Sequence, residues 1–136
     1  MKVKLDSGAK KPTRAHDTDA GLDLYAMHGG LVLSHQSATF HTGVRVELPK
    51  GTAGILLPKS GMMLRDLLTF GVVDEGYTGE ILVHIFNHGG DDYCIWAGDK
   101  ISQMLIVPVL YEPVEIVDEI SGGDRGSAGF GSTGTR

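Results

Sequence analysis

Hydrophobic residues along this chain mostly alternate with polar ones, the two-residue period of a strand packed on one face. From His41 to Leu48, Val44, Val46 and Leu48 fall on one side and Arg45 and Glu47 on the other; Pro49-Lys50-Gly51 then turns the chain. Ile81, Val83 and Ile85 alternate in the same way with Leu82, His84 and Phe86, and Asn87 to Asp92 follows as a polar loop. Ile101 to Leu110 is nearly all apolar, which predicts a strand buried on both faces with Pro108 at a bend or an edge. Glu75-Gly76 reads as the turn of a hairpin between Val72-Val73 and the strand after it. Only Gly61 to Leu68 has a helical pattern, with Met63, Leu64, Leu67 and Leu68 on one side over two short turns. Short strands separated by turns predict an all-β antiparallel barrel or sandwich, without repeats, over residues 1–120.

Residues 121–136 read SGGDRGSAGFGSTGTR, with six glycines and almost nothing to build a core. Such a segment gains too little burial to offset its ordering entropy, so alone it is expected to be mobile. It is still chemically marked: Arg125 offers a cation, Phe130 an aromatic face, and Ser132 and Thr133 two hydroxyls. Glycine admits a ligand close to the backbone, and successive N–H groups cradle an anion. Composition alone serves a disordered terminus and an arm that folds over a flat phosphorylated ligand equally well.

Composition narrows the class. A chain of 136 residues suits one domain with a modest core, and no run approaches the roughly 20 apolar residues of a membrane span. The N-terminal MKVKLDSGAKK lacks the apolar stretch of a signal peptide, and Cys94 is the only cysteine, so a reducing cytoplasm is expected. A net charge of −5 argues against general nucleic-acid binding. It leaves room for a small anionic ligand held by local cations, N–H donors and a divalent metal. Of the six histidines, only His84 and His88 have a spacing that suggests a metal, and ordinary surface or core roles account for them better.

Individual segments carry modest signals. In Gly71-Val72-Val73-Asp74-Glu75-Gly76-Tyr77, Asp74 stands at the mouth of the expected hairpin, where a carboxylate serves as a general base or as a plain turn residue. Pro58-Lys59-Ser60-Gly61 opens the short helix, with Ser60 as its expected N-cap and Lys59 beside N–H groups that attract phosphate. Ala20-Gly21-Leu22-Asp23-Leu24 sets Asp23 among leucines, and Gly98 to Gln103 turns into a strand.

Their order is far more specific. AGLDLYA, PKSG, GVVDEGYTGE, GDKISQM and RGSAGFGSTG resemble, in sequence and spacing, the five motifs of the trimeric dUTPases (deoxyuridine triphosphatases), from Ala20 to Gly134. The resemblance implies a jelly-roll-like β-barrel with one short helix, assembled as a homotrimer whose active sites each draw on three chains. One chain gives the hairpin, a second the first, second and fourth motifs, and a third the C-terminal arm of residues 121–136. The implied reaction is hydrolysis of dUTP to dUMP and pyrophosphate, which limits uracil in DNA and supplies dUMP for dTMP synthesis.

By that resemblance Asp74 matches the water-activating aspartate and Tyr77 the aromatic under the deoxyribose. Main-chain groups around Gly71, Val72 and Val73 read uracil, and Phe130 stacks over it. Lys59, Ser60, Gly61, Gln103, Arg125, Gly131, Ser132 and Thr133 match the phosphate-binding set. Asp23 matches an aspartate that meets Mg²⁺ through water, the ion itself being held by substrate oxygens and water. Two positions depart from the family pattern. Lys59 stands where arginine is usual, losing a planar fork, and Leu68 stands where some relatives have asparagine. The related dCTP deaminases have a glutamate where this chain has His84, so their base is missing. A regulatory, nucleotide-gated binding protein is the reading from a different class, and it is expected to tolerate Asp74→Asn.

Overall fold

The alternating segments pair as antiparallel strands in a computed structural model that describes residues 1–123 and Gly126. In chain order the first elements are β1 (Lys2–Leu5), β2 (Leu22–Tyr25), β3 (Gly30–Val32), β4 (Ser37–Glu47) and β5 (Thr52–Leu57). Then come α1 (Ser60–Met63), β6 (Leu67–Leu68), β7 (Gly71–Val73), β8 (Glu80–Asn87), β9 (Tyr93–Ile95) and β10 (Lys100–Pro108). One four-stranded sheet has the order β1-β4-β8-β6, a second β2-β10-β5-β7, and β3 and β9 form a separate ribbon. This is the nearly all-β antiparallel architecture that the patterning predicts, in the jelly-roll-like form that the resemblance implies.

The inner faces supply the core. Val44, Val46, Val83, Ile85, Ile101 and Met104 are buried together with Leu24, Val32, Leu67 and Ile95. In β8 the burial alternates strictly, with Ile81, Val83 and Ile85 inside and Leu82 and Phe86 exposed, as period-2 patterning requires. β10 is less uniform than expected: Ile101, Ser102 and Met104 are buried, Leu105 to Val107 are half-covered, and Pro108 closes the strand.

Three local expectations are corrected. Helix α1 is a single turn, because Asp66 takes a left-handed backbone (φ 56°) and Leu67–Leu68 pair with Asn87 and Phe86 of β8 instead. Complete burial of Leu67 in that pairing outweighs the local helical spacing. Lys59, not Ser60, occupies the N-cap position, and no side chain caps the helix. Finally, Val72-Val73 and β8 are not partners. β7 pairs with β5 and β8 pairs with β4 and β6, so the turn at Glu75-Gly76 carries the chain from one sheet to the other.

Arg65 and Asp66 have structural work beside that break. The Arg65 guanidinium lies 5.6 Å from the Tyr93 ring centroid, and the Asp66 carbonyl accepts the His88 N–H at 2.9 Å. Among the described residues no helix is long and apolar enough to cross a membrane.

A bulge fixes how β4 meets β8. Between the pairs His41–Leu82 and Arg45–Glu80, β4 carries two extra residues, which keeps its inward face inward. Gly43 takes φ 65° there and donates its N–H to Glu80 Oε1 at 2.8 Å, while His41 Nδ1 lies 3.0 Å from Glu80 Oε2. Burial acts to raise the Glu80 pKa, but the His41 and Gly43 hydrogen bonds outweigh it and hold the carboxyl below its ordinary 4.5. A depressed carboxyl pKa contributes stability above the unfolded value and loses it as pH falls through the folded one. Glu80→Gln is therefore expected to lose less melting temperature than the parent between about pH 5 and pH 3 in parallel thermal scans. Ile85→Ala, which empties a fully buried site, is expected to cost about 2–5 kcal/mol in urea unfolding.

Candidate functional site

Asp23 lies in β2 between Leu22 and Leu24 and is only 4% exposed, so its charge must be met locally. Its backbone N–H and C=O pair with Thr13 at 2.7 and 3.3 Å, fixing the strand from its outer side. Its carboxylate holds two ammonium groups: Lys59 Nζ donates to Oδ1, and Lys100 Nζ lies 2.7 Å from Oδ2. Burial acts to raise the Asp23 pKa, but the hydrogen bonds from Lys100 and Lys59 prevail and keep it below its ordinary 3.8. The partnership raises the pKa of Lys100 in return.

A second bulge makes this possible. β10 carries one extra residue against β2 between Lys100, opposite Tyr25, and Ser102, opposite Leu24. Gln103 then stands directly opposite Asp23. Residues opposite one another in a ladder share a face, and so do alternate residues of β2. Lys100 and Gln103, three apart in sequence, therefore both face the side of Asp23.

Gln103 lies across Gly21, where an added Cβ would stand 2.5 Å from its Oε1 and displace the amide from this position. The Gln103 Nε2 donates to the Pro58 carbonyl at 3.0 Å, and Ser102 Oγ donates to the Leu57 carbonyl at 3.0 Å. These two bonds tie β10 to the end of β5 and so place Lys59, Ser60 and Gly61. Around Gly61 the space is open, with nothing within 4 Å of a built Cβ.

The second group of residues surrounds the crossover turn. The Tyr77 N–H donates to the Asp74 carbonyl at 3.0 Å and closes a four-residue turn. Glu75 anchors it by accepting from the Gly51 N–H at 2.7 Å and the Tyr111 hydroxyl at 2.9 Å. Asp74 is exposed, and among the described residues its carboxylate accepts no hydrogen bond. Tyr77 folds back over Gly79 and donates its hydroxyl to the Glu80 carbonyl at 2.8 Å. Beside it a cavity of about 210 Å³ is walled by Gly71, Val72 and Val73 on one side and by Leu82 and His84 on the other. His84 Nδ1 shares a 2.7 Å hydrogen bond with Thr39 Oγ1.

The sequence-predicted residues thus gather in two places. Asp23, Lys59 and Gln103 meet at one edge of the β2-β10-β5-β7 sheet; Gly71, Val72, Val73 and Tyr77 meet at the opposite edge, with Asp74 following β7. Among the described residues no hydrogen bond or ion pair joins the two groups. Arg125, Phe130, Gly131, Ser132 and Thr133 lie outside the described residues. No set of three His, Cys, Asp or Glu side chains among the described residues is arranged to hold a metal ion. Sequence reasoning missed Lys100, Glu75 and Tyr111. Lys100 stood inside a quoted motif, but only the bulge turns it toward Asp23.

A family model described as dUTPase matches residues 8–134. The deoxyuridine 5′-triphosphate nucleotidohydrolase of Clostridium acetobutylicum is 42% identical over 98% of this chain and 94% of its own length. That of Gloeothece citriformis is 43% identical over 97% and 94%. Among solved structures, the dUTPase of Staphylococcus bacteriophage 80alpha with dUpNHpp superposes at a TM-score of 0.91. It is 29% identical and covers 98% of this chain and 97% of its own. A dUTPase from phage phi11 of S. aureus, described with a structural Mg(II) ion, gives 0.80 at 28% identity, covering 87% and 96%. With a family match over nearly its whole length and relatives above 40% identity along it, this chain belongs to the dUTPase family.

Proposed function

We propose that this dUTPase hydrolyses dUTP to dUMP and pyrophosphate by in-line attack of an Asp74-activated water on the α-phosphorus. Asp74 takes a proton from the water, whose oxygen bonds to phosphorus. The bond from the α-phosphorus to the bridging oxygen breaks, and pyrophosphate leaves with its electron pair. The observation that carries this reading is an exposed carboxylate without a hydrogen-bonding partner among the described residues, on the turn that leaves the wall of the 210 Å³ cavity. A general base needs such an accessible lone pair, whereas Asp23 and Glu80 already have theirs engaged.

The cavity suits a base and sugar. Uracil would lie against the main chain of Gly71 to Val73, whose fixed donors and acceptors leave a mismatched base unpaired. The Tyr77 ring, held by its bond to the Glu80 carbonyl, would pack under the deoxyribose and leave no space for a 2′-hydroxyl. His84, at the position of the deaminase glutamate, lines the cavity as an imidazole tied to Thr39 and offers no carboxylate for deamination.

Lys59, Ser60, Gly61 and Gln103 would hold the phosphate chain, with Arg125, Gly131, Ser132 and Thr133 from the arm of residues 121–136 and Phe130 over the base. Magnesium would neutralise charge on the triphosphate. The donor set fits an outer contact only: a single buried carboxylate, already shared by two lysines, would reach the hydrated ion of the nucleotide through water. Residues 1–120 would form the barrel and 121–136 the arm that excludes bulk water.

A homotrimer with shared sites accounts for the separation of the two groups. Among the described residues no hydrogen bond or ion pair joins the two groups within a chain, and in a shared-site trimer a neighbouring chain would bring one group to the other. The chain beyond β10 supports assembly. Leu110, Val114, Ile116 and Ile120 are 85–95% exposed in an unpaired stretch, an apolar strip in need of cover.

Light scattering is expected to give three times the chain mass, and a monomer would contradict the shared site. Asp74→Asn is expected to lower turnover by about a thousandfold while dUpNHpp still binds, and unchanged turnover would exclude Asp74 as base. Deleting Gly122 to Arg136 is expected to leave a folded trimer with little turnover; normal pyrophosphate release from it would remove the arm from the mechanism.

A further inference from the structure

Lysine stands at position 59, and the carboxylate it touches holds a second lysine as well. A buried carboxylate with one cation cannot release it without being left as an uncompensated buried charge. With two cations, one of them can leave. Lys59 is the cation placed to do so. It occupies the N-cap of α1, directly before the open backbone at Gly61. Lys100 opens β10, opposite Tyr25 in the ladder, and lies on the other oxygen of Asp23.

We propose that Lys100 is a positioning residue for phosphate binding: it keeps Asp23 paired so that Lys59 is released to the incoming phosphate chain. This rests on the reading of Lys59, Ser60 and Gly61 as phosphate ligands. Without Lys100 the buried carboxylate holds Lys59 as its one remaining ammonium partner, and the triphosphate competes with Asp23 for it. A flexible lysine stem suits an exchange of partners better than a bidentate arginine fork, which matches the presence of Lys59 here. The β10 bulge is then a functional feature, since it turns Lys100 onto the face of Asp23 and Gln103.

The test compares Lys100→Met and Lys100→Arg with the parent trimer, by calorimetric titration with dUpNHpp and with deoxyuridine, alongside steady-state kinetics. Lys100→Met is expected to weaken dUpNHpp and raise KM by about tenfold, the scale of one charge-assisted hydrogen bond, with kcat changed by less than about threefold. Deoxyuridine affinity should stay unchanged, and Lys100→Arg should restore KM. In an Asp23→Asn background, where no carboxylate holds Lys59, Lys100→Met should cost no further affinity for dUpNHpp.

Equal losses for dUpNHpp and deoxyuridine, or an undiminished loss in the Asn background, would overturn the proposal. So would an unchanged KM. Thermal melting accompanies each variant, and Lys100→Gln carries the same test if the methionine protein does not fold. Failure of the parent itself to bind dUpNHpp would instead bring down the dUTP reading beneath it.

Discussion

Burial of the Asp23 carboxylate, on the face of β2 opposite the core leucines Leu22 and Leu24, is the constraint around which this edge of the sheet is organised. An isolated ion there would be untenable, and its compensation requires several distant segments to arrive together. Thr13 fixes the strand, the β10 bulge brings Lys100 and Gln103, and Gln103 fixes the Pro58 carbonyl that precedes Lys59. The arrangement carries two positive groups on one negative one, a local surplus of positive charge in a chain whose net charge is −5, and this is what the proposed phosphate contact would use.

The opposite edge obeys a different constraint. The chain must cross between sheets after β7, and it does so in the turn from Asp74 to Tyr77. Glu75 pins that turn through Gly51 and Tyr111, which leaves Asp74 projecting without engaging it. One end of the sheet thus keeps its carboxylate neutralised and the other keeps one available. The different roles proposed for Asp23 and Asp74 follow from those environments rather than from residue type.

What was legible in the sequence divides along the range of the interactions. Ile81, Val83 and Ile85 announce their strand, because a half-buried strand has to alternate. The crossover turn was legible from Glu75-Gly76, but its partners were not, since pairing of β7 with β5 is decided by contacts far apart in sequence. Leu67 and Leu68 fit a helical side as well as a strand, and only the position of β8 resolves them. Motif order pointed to Asp23, Lys59 and Gln103 as a group, and these three do meet. Lys100 stayed hidden because one inserted residue reverses the facing of a strand, and no local pattern betrays the insertion.

The central claim is that a working site takes its base-binding turn after β7 and its arm from different chains. Subunit exchange between two inactive proteins, Asp74→Asn and the deletion of residues 122–136, tests it most directly. Pyrophosphate release from dUTP is followed before and after equal amounts are mixed. The account predicts recovery to about a quarter of parental turnover, the chance that one site draws an intact Asp74 turn and an intact arm from opposite variants. Mixed trimers that remain as inactive as their parents would contradict it.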